Sequence, residues 1–134
     1  MGHREDMLDV IKRAYAARGE GDAKGLVATF HPEGLFHLVG DNSALHLTGS
    51  VQGHEPLLGA FGQFIEHFAF EKREILSELV EGNSAAIRSR LVVKYRPSGT
   101  IFNTEVLDLF KFQDGKIIEL IEYADTALVK AVIS

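Results

Sequence analysis

A chain of 134 residues, 46% of them hydrophobic, can bury one core of ordinary size and is expected to form one domain. Its 19 acidic and 14 basic side chains leave a formal charge of -5, which repels phosphate. Nucleic acid and anionic membranes are therefore poor partners, and a neutral or cationic small ligand suits the chain better. With no cysteine, disulfides and thiolate metal sites are excluded; with no signal-like or span-length apolar run, the sequence reads as one cytoplasmic domain over residues 1–134.

Between Asp6 and Arg18, Leu8, Ile11, Ala14 and Tyr15 recur at helical spacing, and Gly19 can stop that helix. Asp22 can cap a short second helix carrying Leu26, Val27 and Phe30. The His31-Pro32 step should end it, because a residue before proline avoids helical backbone. Leu35 to Val39 reads as a strand. Gly40 to Gln52 is rich in turn formers, with room for a short strand at Ala44 to Leu47, and could border a pocket. Beyond Gly53-His54-Glu55-Pro56, the stripe of Leu57, Leu58, Phe61, Phe64, Ile65 and Phe68 marks a third helix with a bulky buried face.

From Phe70 the period becomes that of strands, and turns at Gly82-Asn83, Pro97-Ser98-Gly99 and Asp114-Gly115 divide four consecutive strands. On the second, Ala85 to Arg96, the basic residues Arg88, Arg90, Lys94 and Arg96 alternate with Ile87, Ser89, Leu91, Val93 and Tyr95. The basic row is read as solvated or paired across strands. Asp125-Thr126 can cap a last short helix over Ala127 to Val132.

The last hairpin carries two acids, Asp108 and Glu122, among neighbours that belong in a core. An ionised carboxylate there is costly unless it is paired or its pKa rises. If Gln113-Asp114-Gly115 is a three-residue loop, Asp108 lies opposite Leu120 and diagonal to Glu122, which makes an acid pair. If Asp114-Gly115 is a two-residue turn, Asp108 lies opposite Ile121 and Glu122 turns to the other face. Two close carboxyls would share a proton near neutral pH, so either could serve as acid or base.

The order helix, short helix, strand, long helix and four antiparallel strands resembles the nuclear transport factor 2-like superfamily, especially its SnoaL-like and ketosteroid isomerase-like branches. The likeness is carried by Arg13-Ala-Tyr-Ala-Ala-Arg-Gly-Glu-Gly-Asp22, by Gly53-His54-Glu55 and by Leu107-Asp-Leu-Phe-Lys-Phe-Gln-Asp-Gly-Lys-Ile117, and it spans nearly the whole chain. It implies an α+β fold in which a cone-shaped, strongly curved mixed β-sheet wraps around about three N-terminal helices, with a short C-terminal helix and an apolar pocket inside. That fold hosts isomerases, hydrolases, cyclases, dehydratases and non-catalytic binders, so it implies no single reaction. Asp108 falls on the late-strand aspartate of the ketosteroid isomerases. Leu38 stands at their base position and Ala14 at their tyrosine position, with Tyr15 one residue on, so classical steroid isomerisation is not expected. Against limonene epoxide hydrolase, Ser89, Leu91 and Glu122 fall on the arginine and two aspartates that activate water, and that set is broken here.

The resulting catalytic candidates are Asp108, as hydrogen-bond donor to a carbonyl or oxyanion, and Glu122, as proton carrier. Tyr15, Phe36, Leu38, Phe64, Ser89, Leu91, Phe110 and Leu120 are the candidate ligand contacts. A plainer account makes Asp108 a satisfied buried acid bonded to Ser89 or Tyr15, and Tyr15 a core residue of its helix. His37 belongs on the strand face opposite Phe36 and Leu38. His31, His46, His54 and His67 lack metal-ligand spacing, so neither a metal nor an organic cofactor is expected. These features describe an enzyme performing acid–base proton transfer, hydration or cyclisation on an apolar small molecule. The competing reading is a non-catalytic binding or interaction module on the same fold. Ile117, Ile121 and Tyr123, assigned to the outer face of the last strand, point to a homodimer through that face.

Overall fold

The computed structural model describes residues 2–134. Helix α1 (Gly2–Glu20) is followed by Gly21, whose φ of 76° costs glycine little, and Asp22 caps α2 (Ala23–Ala28) by accepting the Gly25 N–H at 2.9 Å. Strands β1 (Phe30–Leu38) and β2 (Gly49–Gln52), helix α3 (His54–His67), strands β3 (Phe68–Glu81), β4 (Ser84–Tyr95), β5 (Thr100–Gln113) and β6 (Lys116–Ala124), and helix α4 (Thr126–Ile133) complete the chain. The strands form one curved, unclosed sheet in the order β2-β1-β6-β5-β4-β3, antiparallel except for the β1–β6 pair. This is the α+β architecture the resemblance implied.

Helical periodicity places Met7, Val10, Ile11, Ala14 and Ala17 of α1 on one buried stripe. With Leu57 and Phe61 of α3, that stripe packs on Phe30, Phe36, Ile87, Phe110, Ile117 and Leu120 of the concave sheet face. A second cluster of Phe68, Leu91, Val93 and Val106 lies under Val129 and Ile133 of α4. On the convex face the basic row of β4 is paired across strands, Arg88 to Glu105 at 2.8 Å and Arg90 to Glu74 at 3.1 Å. No helix among the described residues is long and apolar enough to cross a membrane.

Three local readings change. Phe30 is the fully buried start of β1 rather than part of α2, which ends at Ala28. Pro32 is tolerated because the β1–β6 register slips between Phe30, opposite Ile117, and Leu35, opposite Glu119, so no ladder N–H is needed there. The short strand is Gly49–Gln52, not Ala44 to Leu47. Local bonds fold the earlier segment on itself: Leu45 N–H donates to Asp41 O at 2.9 Å, and the Asn42 amide donates to His46 O and Thr48 O.

The third change is in the last hairpin, which adopts neither expected register. Asp114 (φ 55°) and Gly115 (φ 76°) form a two-residue turn between the paired Gln113 and Lys116. The ladder then slips, Phe112 facing Ile117 but Lys111 facing Glu119, which leaves Ile118 as an extra residue. That bulge sets Asp108 directly opposite Glu122. It also turns Ile117 inward to full burial, removing it from the outer face to which alternation had assigned it.

Candidate active site

The concave face encloses a cavity of about 120 Å³. An engineered apolar cavity of roughly 150 Å³ takes up benzene, so this space suits one ring. Phe36, Phe61, Phe64, Phe68, Phe70, Phe102 and Phe110 line it together with leucines and valines. Tyr15, Arg18, Arg73, Thr104, Asp108 and Glu122 supply its polar groups. A larger cleft of about 430 Å³ adjoins it, sharing Phe36, Leu47, Phe64 and Phe68 and adding His46, Thr48, Ser50, Gln63, His67 and Tyr95.

The polar groups come from α1, β3, β5 and β6. Tyr15 and Arg18 are three residues apart on α1 and so share a face. The Tyr15 hydroxyl donates to Asp108 Oδ2 at 2.6 Å, and Arg73 Nη1 lies 3.9 Å from the same oxygen. Arg73 Nη1 also donates to Ser89 Oγ at 2.9 Å, while its guanidinium stacks 3.6 Å from the centre of the Tyr15 ring. Arg18 Nη2 donates to Phe68 O at 2.9 Å, with Phe64 O at 3.5 Å, and its guanidinium covers the Phe70 ring at 3.7 Å. Asp108 is 1% exposed, and its Oδ1 has no hydrogen-bond partner among the described residues. A buried carboxylate oxygen left open is costly, and the nearest acid, Glu122, can supply a proton.

Burial, and then the charge and proximity of Asp108, push the Glu122 carboxyl well above the usual carboxylate range; Arg73 and Arg18 pull it down by less. Glu122 keeps partial accessibility, as a group on a cavity wall should. Burial first, then Asp108, raise the Tyr15 phenol, which stays neutral. Burial pushes Arg18 down to about 10, a shift that Glu122 opposes and that Arg73 and Arg96 reinforce.

Of the candidate residues, Tyr15, Phe36, Leu38, Phe64, Leu91, Asp108, Phe110, Leu120 and Glu122 meet around this one cavity. Ser89 does not line it; fully buried on β4, it anchors Arg73 from behind. His37 bonds Ser50 Oγ at 2.6 Å and takes no part in the cavity. Sequence reasoning missed Arg18 and Arg73. Glu71-Lys72-Arg73-Glu74 looks like a solvated charge run, but a register slip between Phe70 and Lys72 puts Arg73 opposite the inward Leu91. An arginine and two acids are thus assembled after all, from Arg73, Asp108 and Glu122 rather than from positions 89, 91 and 122. Among the described residues no three His, Asp or Glu side chains are arranged to hold a metal.

Residues 11–120 match the SnoaL-like domain family, and the chain belongs to it. No curated protein matches the sequence. The fold is shared with a proposed isomerase from Bacillus subtilis (TM-score 0.88, 12% identity, 99% of this chain and 96% of that one). It is shared also with a proposed isomerase from Rhodopseudomonas palustris (0.81, 15%, 96% and 97%). A proposed SnoaL-like polyketide cyclase from Jannaschia sp. CCS1 is similar to the same degree (0.80, 18%, 97% and 92%).

Proposed function

We propose that this protein catalyses acid–base proton transfer on a small, largely apolar ring compound bearing a carbonyl group. The observation that carries the reading is the opposition of Asp108 and Glu122 at the wall of a one-ring cavity, with the proton favoured on Glu122. Asp108 Oδ1 would take a proton from a carbon beside the carbonyl while Glu122 gives its own to the carbonyl oxygen, forming the enol. Where the ring carries a β,γ double bond the enol is a dienol, and returning the first proton to its γ-carbon, and the oxygen's proton to Glu122, moves the double bond into conjugation with no cofactor in the balance. Tyr15 and Arg73 hold the Asp108 carboxylate in place, so they are positioning residues in this scheme. The proposed isomerases among the neighbours are in keeping with it. We place the working unit in a homodimer joined through the convex sheet face.

The test is deuterium uptake from D₂O into single-ring ketones, followed by mass spectrometry. Exchange should be faster with wild-type protein than with Glu122→Gln by about 10²-fold or more. Equal rates for the two proteins would end the acid–base reading, and ring binding without exchange would mark the chain as a binding module.

A further inference from the structure

The overall charge of -5 suggests a neutral or cationic ligand, but the cavity lining carries as many cations as acids. Its charged lining is Arg18 of α1, Arg73 of β3, Asp108 of β5 and Glu122 of β6, with Tyr15 as the remaining titratable group; β4 and α4 contribute Leu91, Val93 and Val129 and no charge. Both guanidiniums lie near the Phe70 ring, Arg18 3.7 Å and Arg73 5.7 Å from its centre, so the cavity has two cations close to one aromatic wall. Their own bonds are few. Arg73 uses Nη1 on Ser89, and Arg18 uses Nη2 on two backbone carbonyls. The other guanidinium nitrogens make no protein hydrogen bonds among the described residues, nor are any of them sealed off as buried unpartnered atoms. They remain accessible donors in a fork suited to oxygen anions.

Geometry thus sets two fixed cations against two facing carboxyls. With one proton between those carboxyls, the balance is two positive charges to one negative. The depression of Arg18 to about 10, for which burial is the main cause, agrees with a cation short of compensation. An anion in the cavity would relieve it, and the aromatic walls would pack on a flat ring.

We propose that the cavity takes a planar single-ring monoanion, a ring carrying a conjugated oxyanion such as an enolate or a carboxylate, with the charged oxygen received between Arg18 and Arg73. This rests on the acid–base reading for the use of the site and deepens it by naming the substrate class. The two guanidiniums would hold that charged oxygen throughout, leaving a carbonyl elsewhere on the ring to Asp108 and Glu122.

Calorimetric titration of the wild-type protein with benzoate against benzamide, and with the enolate of cyclohexane-1,3-dione against its neutral methyl enol ether, tests the charge preference. At least one anion should bind tenfold or more tightly than its neutral isostere, and the two pairs distinguish a carboxylate from an enolate ligand. Arg73→Met and Arg18→Met should erase that preference. If either variant fails to fold, the wild-type isostere ratio still decides. Equal or better binding of both neutral isosteres, or no binding of either anion, overturns the proposal. Deuterium exchange of neutral ketones without anion preference would sink this inference and leave the acid–base reading standing; anion preference without exchange would do the reverse.

Discussion

The Tyr15 hydroxyl reaches across 93 residues of sequence to donate to Asp108 Oδ2 at 2.6 Å, tying the first helix to the fifth strand at the wall of the cavity. Hydrogen bonds to charged, poorly solvated acceptors are stronger than neutral ones, so this contact should register in stability as well as chemistry. Tyr15→Phe keeps the ring under Arg73 and removes only the donor. We expect it to cost about 2 kcal/mol in urea unfolding. A variant as stable as the parent would mean that the bond is not made in solution.

The Glu122 carboxyl gives a pH signature with a definite sign. Its folded pKa lies above the ordinary 4.5, so between those values the folded state holds a proton that the unfolded chain has lost. The stability from that proton is complete below the ordinary value and is lost as pH rises through the folded one. Glu122→Gln has no such proton to lose. Its stability relative to wild type should therefore rise with pH across that window, by up to about 1.4 kcal/mol per pH unit. Denaturation curves at several pH values would check this, and a constant difference would contradict it.

The cavity can be filled without touching its acids. Leu91 lies opposite Arg73 and is 1% exposed on the cavity wall. Leu91→Phe should abolish ring binding while costing less than the roughly 1–3 kcal/mol usual for overpacking a filled core, because the ring enters empty space. Binding that survives at full strength would place the ligand elsewhere, with the adjoining cleft the first place to look.

On the convex face Leu107 and Tyr123 are cross-strand neighbours, 37% and 46% exposed, and Ile121 lies beside them opposite Leu109. Apolar side chains gathered on one sheet face favour a covering partner, and a second copy satisfies this with each patch meeting its equivalent. Ile121→Lys should shift sedimentation from dimer to monomer and leave ring binding intact. A wild-type monomer at tens of micromolar concentration would rule the interface out.

How far the sequence could be read follows from which physical rules were local. The α1 and α3 stripes, the Asp22 and Asp125 caps and the strand alternation depend on near neighbours, and those elements stand within a few residues of their expected bounds. Asp108 was conspicuous because a carboxyl among core positions breaks the pattern. Arg73 was not, because its neighbours in sequence are charged and only the slip after Phe70 turns it inward. An Asp108–Glu122 pair is expected from the sequence only as diagonal neighbours across a three-residue loop; what sets them directly opposite is a bulge at Ile118 that a row of β-branched and aliphatic residues does not advertise.

That bulge separates the acids that face each other at the cavity wall from the residue that decides which of them are admitted. Ile118 touches neither role, yet pairing restarts beyond it at Lys111 and Glu119 and carries Glu122 to Asp108. Removing Ile121 would bring the Tyr123 phenol opposite Asp108 in the carboxyl's place and turn Ala124 away from the cavity, exchanging an acid for a weak hydroxyl donor in one step. Strand length, as much as residue identity, is therefore a heritable and designable variable of this cavity, and combinatorial libraries that fix the number of residues in β6 would leave that variable unexplored.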